Sequence, residues 1–368
     1  MKTATHCQRC EDLCHDAVAG PGTVHLRLPL NHSLGKMLSL LRHSPWSYTE
    51  QGGMLSVHTD DRALSPLVSA LTGVLSSVEQ ADARVIFEPD GKTMELADYF
   101  EACSLHDFAA KAQSGWLLRI LREERLTSYF QPIVHTENQQ VFGYECLMRG
   151  LDGDNVIYPS ALLGVARGAD LLFQLDLAAR TAAIREAARH GISAKLFINF
   201  NPTAIYDPTY CLRSTVRKLQ ELGLPNNQIV FEVVESDQVT DIEHLKSICE
   251  YYRKAGFQVA LDDMGAGYSS LNMLHELRPD YIKLDMQLIR SVHQDPFKAS
   301  ITGKLLEIAR DLDIKTIAEG VENVEEYNWL RRHGADFVQG YFIARPASPP
   351  PWQERQQRQP ELADFALG

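Results

Sequence analysis

Between residues 145 and 319 the chain repeatedly sets an acid, amide or amine at the end of a run of apolar and β-branched residues: Glu145, Asn199, Glu232, the consecutive Asp262 and Asp263, Lys283 with Asp285, and Glu319. Phe197-Ile198-Asn199-Phe200 and Ile317-Ala318-Glu319-Gly320 show the pattern. A lone carboxylate at a strand end is more often a cap or a surface charge. Six oxygen-bearing side chains on five such runs are a different case, because burying so many like charges is costly unless protons or cations neutralise them. Carboxylates plus one amide form a hard-oxygen donor set of the kind that selects Mg²⁺ or Mn²⁺. Five carboxylates and one Asn match the needs of two such ions with shared ligands, and paired metals about 4 Å apart serve phosphoester hydrolysis. Lys283, flanked by Ile282 and Leu284, lies two residues from Asp285 and so on the same strand face. Beside such a cluster it reads as a catalytic cation, whereas alone it would read as a salt-bridge partner.

These residues need a scaffold that makes strand ends converge. From Tyr129 onward, short β-branched runs alternate with helical stretches: 129–134, 141–147, 195–200, 229–234, 258–262, 281–284, 315–318 and 337–343. That rhythm predicts a (β/α) barrel, whose chemistry collects at the C-terminal rim of its strands. The first pair is an exception. Only residues 135–140 join the first two runs, and a parallel crossover needs a dozen residues or more. The fold class expected is therefore α/β, a modified TIM (β/α)8 barrel with one antiparallel strand. Upstream, strand, helix, strand, a Gly52-Gly53 turn, strand, helix and strand follow one another between residues 24 and 88, the βαββαβ order of a small α+β ferredoxin-like domain. The predicted organisation is a Cys/His-rich segment over 1–22, a ferredoxin-like regulatory domain over 23–92, a helical connector over 93–126, the barrel over 127–347 and a polar, Pro-rich tail over 348–368.

Composition narrows the function classes. A net charge of −12 argues against holding a nucleic-acid polymer by counterion release, and no apolar run approaches the roughly 18–20 residues that span a bilayer. The N-terminus lacks the apolar stretch of a secretory signal, and seven cysteines, an odd number, fit reduced thiols better than a disulfide framework. The expectation is a cytoplasmic protein without membrane contact. The cluster His6, Cys7, Cys10, Cys14, His15 could close around one Zn²⁺ or hold a redox centre, although the usual second ligand pair is not evident and ordinary tail cysteines are the other reading.

Several blocks together carry a resemblance. They are Gln131-Pro132-Ile133-Val134, Tyr144-Glu145-Cys146-Leu147-Met148-Arg149, Ile198-Asn199-Phe200 and Phe231-Glu232-Val233-Val234-Glu235-Ser236, followed by 261–270, Ile282-Lys283-Leu284-Asp285, Ala318-Glu319-Gly320-Val321-Glu322 and Gln339-Gly340-Tyr341. In this order, from about residue 120 to residue 347, they resemble EAL-type cyclic-di-GMP phosphodiesterases. The resemblance implies hydrolysis of cyclic-di-GMP to linear pGpG with two Mg²⁺ or Mn²⁺ ions. Glu145, Asn199, Glu232 and Asp262 would hold one ion, and Asp262, Asp263 and Glu319 the other. Lys283 would act on the attacking water, making Lys283, Glu319 and Asp263 the catalytic set. Arg149 matches a phosphate-gripping position, Gln131, Asp285, Glu322 and Gln339 match base or sugar contacts, and Glu235 matches the anchor of the glycine-rich loop. The sequence departs from the family pattern at Cys146, where little cost is expected, and in the loop at Met264 and Ala266, which puts turnover in question more than binding. The alternative within the same resemblance is a degenerate module that binds cyclic-di-GMP as a receptor without hydrolysis; degenerate members typically lose a ligand or the lysine, and none is lost here. The family also suggests a homodimer, and the apolar Met273, Leu274 and Leu277 stand where its interface would form.

Overall fold

The computed structural model describes residues 20–351 except 61–63, 93, 101, 206, 235–240 and 266–269. The described residues divide into two compact units: one runs up to Arg125 and takes in Asp152–Leu175, and the other comprises Leu126–Leu151 and the chain from Asp176 onward.

The first unit is built on strands β1 (Gly22–Arg27), β2 (Tyr48–Gln51), β3 (Met54–Thr59), β4 (Arg84–Pro89) and the short β5 (Cys103–Ser104). Their order is β2-β3-β1-β4-β5 with every pair antiparallel, and the first four strands have the ferredoxin-like arrangement. Period-2 alternation explains the packing: Val24, Leu26, Leu55, Val57 and Val85 face Met37 and Leu41 of helix Asn31–Arg42 and Leu67 and Leu71 of helix Leu64–Gly73. The β2–β3 hairpin turns on Gly52 and Gly53, both at positive φ, a conformation that suits a two-residue turn and favours glycine. The helix that begins at Leu64 stops at Gly73. Ser76 and Glu79 form a capping box that starts a separate helix, Ser77–Asp82.

The segment after β4 adds β5 to the sheet edge and then the helices Leu105–Gln113 and Gly115–Arg122. Leu105 and Phe108 of the first helix enter the core of this unit, and its other side packs on helix Pro159–Gly168. The contact is close: a Cβ added at Gly168 would lie 2.4 Å from the Ala110 Cβ.

The second unit is built on β6 (Leu126–His135), β7 (Val141–Asp152), β9 (Lys195–Asn199), β10 (Ile229–Val234), β11 (Gln258–Met264), β12 (Tyr281–Leu284), β13 (Lys315–Ala318) and β14 (Phe337–Val338), while β8, the short strand Asn155–Ile157, falls in the first. Without β8, these close into an eight-stranded barrel in the order β6-β14-β13-β12-β11-β10-β9-β7, β7 pairing back to β6. Strand β6 is antiparallel to both of its neighbours while the others run parallel, as the short 135–140 connection required. The last strand ends at Val338, five residues earlier than expected. A Cβ at Gly340 would strike the Val321 backbone, so the chain leaves the sheet there to pack against the β13 loop.

The barrel interior is layered. Ile133, Phe197, Val230, Ala260, Tyr281, Ile317 and Phe337 form an apolar plug; Phe142 packs against it, stacked on Phe337 at 4.0 Å between centroids. Gly143 has to be a glycine here, because a Cβ would lie 2.9 Å from the Phe197 ring. Each plug residue stands two positions from a polar residue nearer the rim, and the pleat puts such pairs on one face. Helix Ser270–Leu277 buries Met273, Leu274 and Leu277 within the same chain. The expectation that these three offer a dimer surface is therefore corrected: they pack their own helix.

Candidate active site

One pleat period above the plug, the barrel brings together Gln131, Asn199, Glu232, Asp262, Lys283, Glu319 and Gln339, with Glu145 joining from β7. Lys283 is the hub. It is 1% exposed, and its Nζ lies 2.8 Å from Glu319 Oε1, 2.9 Å from Glu232 Oε1, 3.1 Å from Asp262 Oδ1 and 3.8 Å from Glu145 Oε2. Burial opposes its charge, but Asp262, Glu145, Glu232 and Glu319 together hold its pKa well above the usual lysine range. Burial pushes Glu232 and Glu319 well above the usual carboxylate range, with the Lys283 charge opposing and neighbouring carboxylates adding. More negative charge is gathered here than one ammonium can balance.

Asp262 and Asp263 reach the site together because β11 is irregular. Its pairing with β12 shifts register between Leu261 and Met264, and Asp263 adopts a left-handed φ of 56°. Such a bulge re-aims consecutive side chains that a regular strand would send to opposite faces. The turned amide of Asp263 donates to Asp262 Oδ1 at 2.9 Å. Asp262, Asp263 and Glu319 each offer a carboxylate oxygen within 4.8 Å of the others. Burial, then the Asp262 charge, raises Asp263 to about 6.

Amides line the rest. Asn199 Nδ2 donates to Glu232 Oε2 at 3.0 Å and Glu145 Oε1 at 3.4 Å. Gln339 Nε2 donates to Glu145 Oε2 at 2.5 Å and Gln131 Oε1 at 3.1 Å. The fully buried Arg180 pairs with Asp176 at 3.0 Å, and Asp176 Oδ1 accepts the Asn201 N–H at 2.8 Å. Hard-oxygen donors with an excess of negative charge fit divalent cations such as Mg²⁺ or Mn²⁺.

Other expected residues stand outside this cluster. Arg149 lies over the Tyr129 ring at 5.1 Å and donates to Met148 O. Asp285, mostly buried, caps helix Met286–Ile289 by accepting the Gln287 N–H at 2.7 Å. Glu322 is exposed and paired with Arg290 at 2.5 Å. Glu235 and Ala266 lie outside the described residues, as do His6, Cys7, Cys10, Cys14 and His15. Cys146 is buried, and burial followed by the nearby Glu232 and Glu145 charges raises its thiol well above the normal range, the condition of an inert packing thiol. Met264 is buried as well. Sequence reasoning missed Asp176, Arg180, Arg290 and Glu326, whose signals are those of ordinary helix and loop residues.

The EAL domain model matches residues 114–346. Among curated relatives, the chain is similar to a probable cyclic di-GMP phosphodiesterase, PdeG, of Escherichia coli (strain K12), 31% identical over 239 residues and covering 63% of this chain and 46% of the relative. The chain thus spans about half the length of the curated relatives it matches. Among solved structures it is similar to a standalone versatile EAL protein from Vibrio cholerae O395 in its c-di-GMP bound form, with 40% identity, 61% of this chain, 93% of that chain and a TM-score of 0.57. A Klebsiella pneumoniae BlrP1 structure shares the fold over 89% of this chain and 96% of that one, at 22% identity and a TM-score of 0.56.

Proposed function

From the premise that the chain belongs to the EAL domain family, we propose that it hydrolyses cyclic-di-GMP to linear pGpG. The observation that carries the reading is the meeting of Glu145, Asn199, Glu232, Asp262, Asp263 and Glu319 around Lys283 at the barrel rim. In this reading Glu145, Asn199, Glu232 and Asp262 hold one Mg²⁺ or Mn²⁺ ion, and Asp262, Asp263 and Glu319 hold a second. When bound, such a pair lowers the pKa of a coordinated water and stabilises charge on the phosphoryl oxygens.

The protein's own share is positioning and charge. Asn199 turns its Oδ1 inward to serve as a ligand in place of the Nδ2 now facing the carboxylates. Lys283 exchanges carboxylate contacts for the attacking water, keeps its charge, and orients that oxygen toward phosphorus. Water adds to one phosphorus, the bond from it to a ribose 3′ oxygen breaks, and a proton goes to the leaving oxygen, so the ring opens at one diester only. The apolar plug beneath keeps bulk water from entering below. Arg149 grips a phosphate; Gln131, Asp285, Glu322 and Gln339 contact bases or sugars; Glu235 anchors the loop that begins at Gly265.

We also propose a homodimer whose interface uses exposed residues of helix Ser270–Leu277 such as Leu271, 59% exposed, and a regulatory role for the ferredoxin-like sheet. Among the described residues no helix is long and apolar enough to cross a membrane. The test of function is incubation of the purified chain with cyclic-di-GMP and Mg²⁺ or Mn²⁺, with products separated by chromatography. Accumulation of pGpG supports the hydrolase. Metal-dependent binding without product would make the chain a receptor, and neither binding nor product would sink the proposal.

A further inference from the structure

Glu326 is an acid that the proposed chemistry does not use, yet it is 2% exposed. Its two oxygens serve two different loops. Oε1 accepts the Ser291 N–H at 2.8 Å, in the loop after β12, and Oε2 accepts the Glu322 N–H at 2.9 Å, in the loop after β13. Ser291 sits at a left-handed φ of 58°, a conformation that a serine rarely adopts without support. The residues next in line are themselves joined: Arg290 Nη2 meets Glu322 Oε1 at 2.5 Å, and Lys298 Nζ donates to Arg290 O at 2.9 Å. One buried carboxylate therefore fixes the backbone beneath both members of the Arg290–Glu322 pair.

The residue type matters. Burial works to raise the carboxyl's pKa, but the amides of Glu322, Ser291 and Asn323 more than offset this and hold it below the usual range. A carboxylate accepts at both ends. A glutamine of the same shape accepts at one end only and would turn an NH₂ toward the second N–H.

We propose that Glu326 is a positioning residue for the dinucleotide: it staples the loop after β12 to the loop after β13 and so sets Glu322 and Arg290 at the rim in the arrangement that meets the substrate's base. The inference rests on the reading of Glu322 as a substrate contact and names the device that holds it. Because Glu326 acts through Glu322, its loss affects recognition of the dinucleotide and leaves the step at phosphorus nearly untouched.

The test compares full-length wild type with Glu326→Gln, Glu322→Gln and the double variant. Amide hydrogen exchange at Ser291 and Glu322 is expected to quicken in Glu326→Gln by roughly tenfold or more, the scale of one lost buried hydrogen bond. KM for cyclic-di-GMP is expected to rise about tenfold with kcat within about twofold, and the double variant is expected to match Glu322→Gln alone, since residues acting as a unit are not additive. Unchanged exchange overturns the staple. Additive effects on KM, or a loss confined to kcat, overturn its route through Glu322. If wild type neither binds nor hydrolyses the dinucleotide, the activity reading and the recognition role fall together, while quickened exchange in Glu326→Gln would still separate that failure from a failure of the staple itself.

Discussion

Lys283 poses a problem that a single substitution can expose. Among the described residues its ammonium stands alone against four carboxylates within 4 Å, so Lys283→Ala leaves buried charge uncompensated. Removing one partner from a buried pair costs roughly 3–5 kcal/mol, and the metal-free variant should melt correspondingly lower, with Mg²⁺ or Mn²⁺ recovering most of the loss. Its kcat should fall by at least about 10²-fold, as expected for a group acting on the nucleophile. A variant whose melting temperature ignores divalent cations would count against the metal assignment. Glu145→Ala separates the two roles. It removes a proposed ligand and relieves repulsion, so hydrolysis should drop by about 10³-fold or more while metal-free stability holds, as circular dichroism melting can show. At this scale the convergence of polar side chains was legible: Glu145, Asn199, Glu232, Asp262, Asp263, Lys283 and Glu319 meet. Glu326 was not legible, because an acid in the first turn of a helix after an Asn cap reads as an ordinary complement to the helix dipole. Only the fold brings Ser291 to it.

Elements obey the same division between local and distant causes. The hairpin at 135–140 followed from connection length alone, and the strand phases from period-2 patterning, so the barrel and its antiparallel strand could be read. The bulge that turns Asp263 beside Asp262 could not, since the register shift depends on β12 as partner. Nor could the early end of β14, which Gly340 meets by packing on Val321. The break after Gly73 had a visible sign, the Ser76 to Glu79 box, whose energetics are testable by pH. Glu79 also accepts from Lys36 Nζ and Ser33 Oγ, and the Ser76 amide, then Lys36, Ser33 and the Ser76 hydroxyl, lower its pKa to about 2. A carboxylate depressed in the folded state contributes stability above its unfolded pKa and loses it as pH falls from about 4.5 toward 2. Glu79→Gln should therefore lower the melting temperature at pH 7 and flatten its decline between those values. A variant that follows the wild-type pH profile would show that the box adds nothing.

At the scale of the molecule, residues 152–175 are the part that sequence order hides. They lie between β7 and β9 in the chain yet belong to the compact unit of the ferredoxin-like sheet, because helix Leu105–Gln113 sends Leu105 and Phe108 into the sheet's core and lays Ala110 on Gly168. Helix Pro159–Gly168 leads straight into helix Leu172–Arg189, Leu171 donating to Ala166 O and Leu175 to Leu171 O. That second helix carries Asp176, which holds the Asn201 amide two residues beyond Asn199. The regulatory role proposed for the ferredoxin-like sheet and the proposed homodimer are each open to test. If the homodimer also takes part, light scattering across concentrations should show two copies in the active form, and a fully active monomer would remove that arm. A chain begun at Ser114 tests the proposed regulatory role. It keeps the whole of the EAL match but takes the packing surface away from helix Pro159–Gly168, whose Leu162 and Ala166 are buried. Exposing one such apolar side chain costs about 1.5–3 kcal/mol, so the melting temperature should fall by roughly 5–10 °C for a domain of this size, and kcat should change if the sheet controls the site. Gly168→Val in the full-length chain should act in the same direction, since its side chain has to push Ala110 aside. Unchanged melting and unchanged turnover in both proteins would leave the sheet without influence on the site.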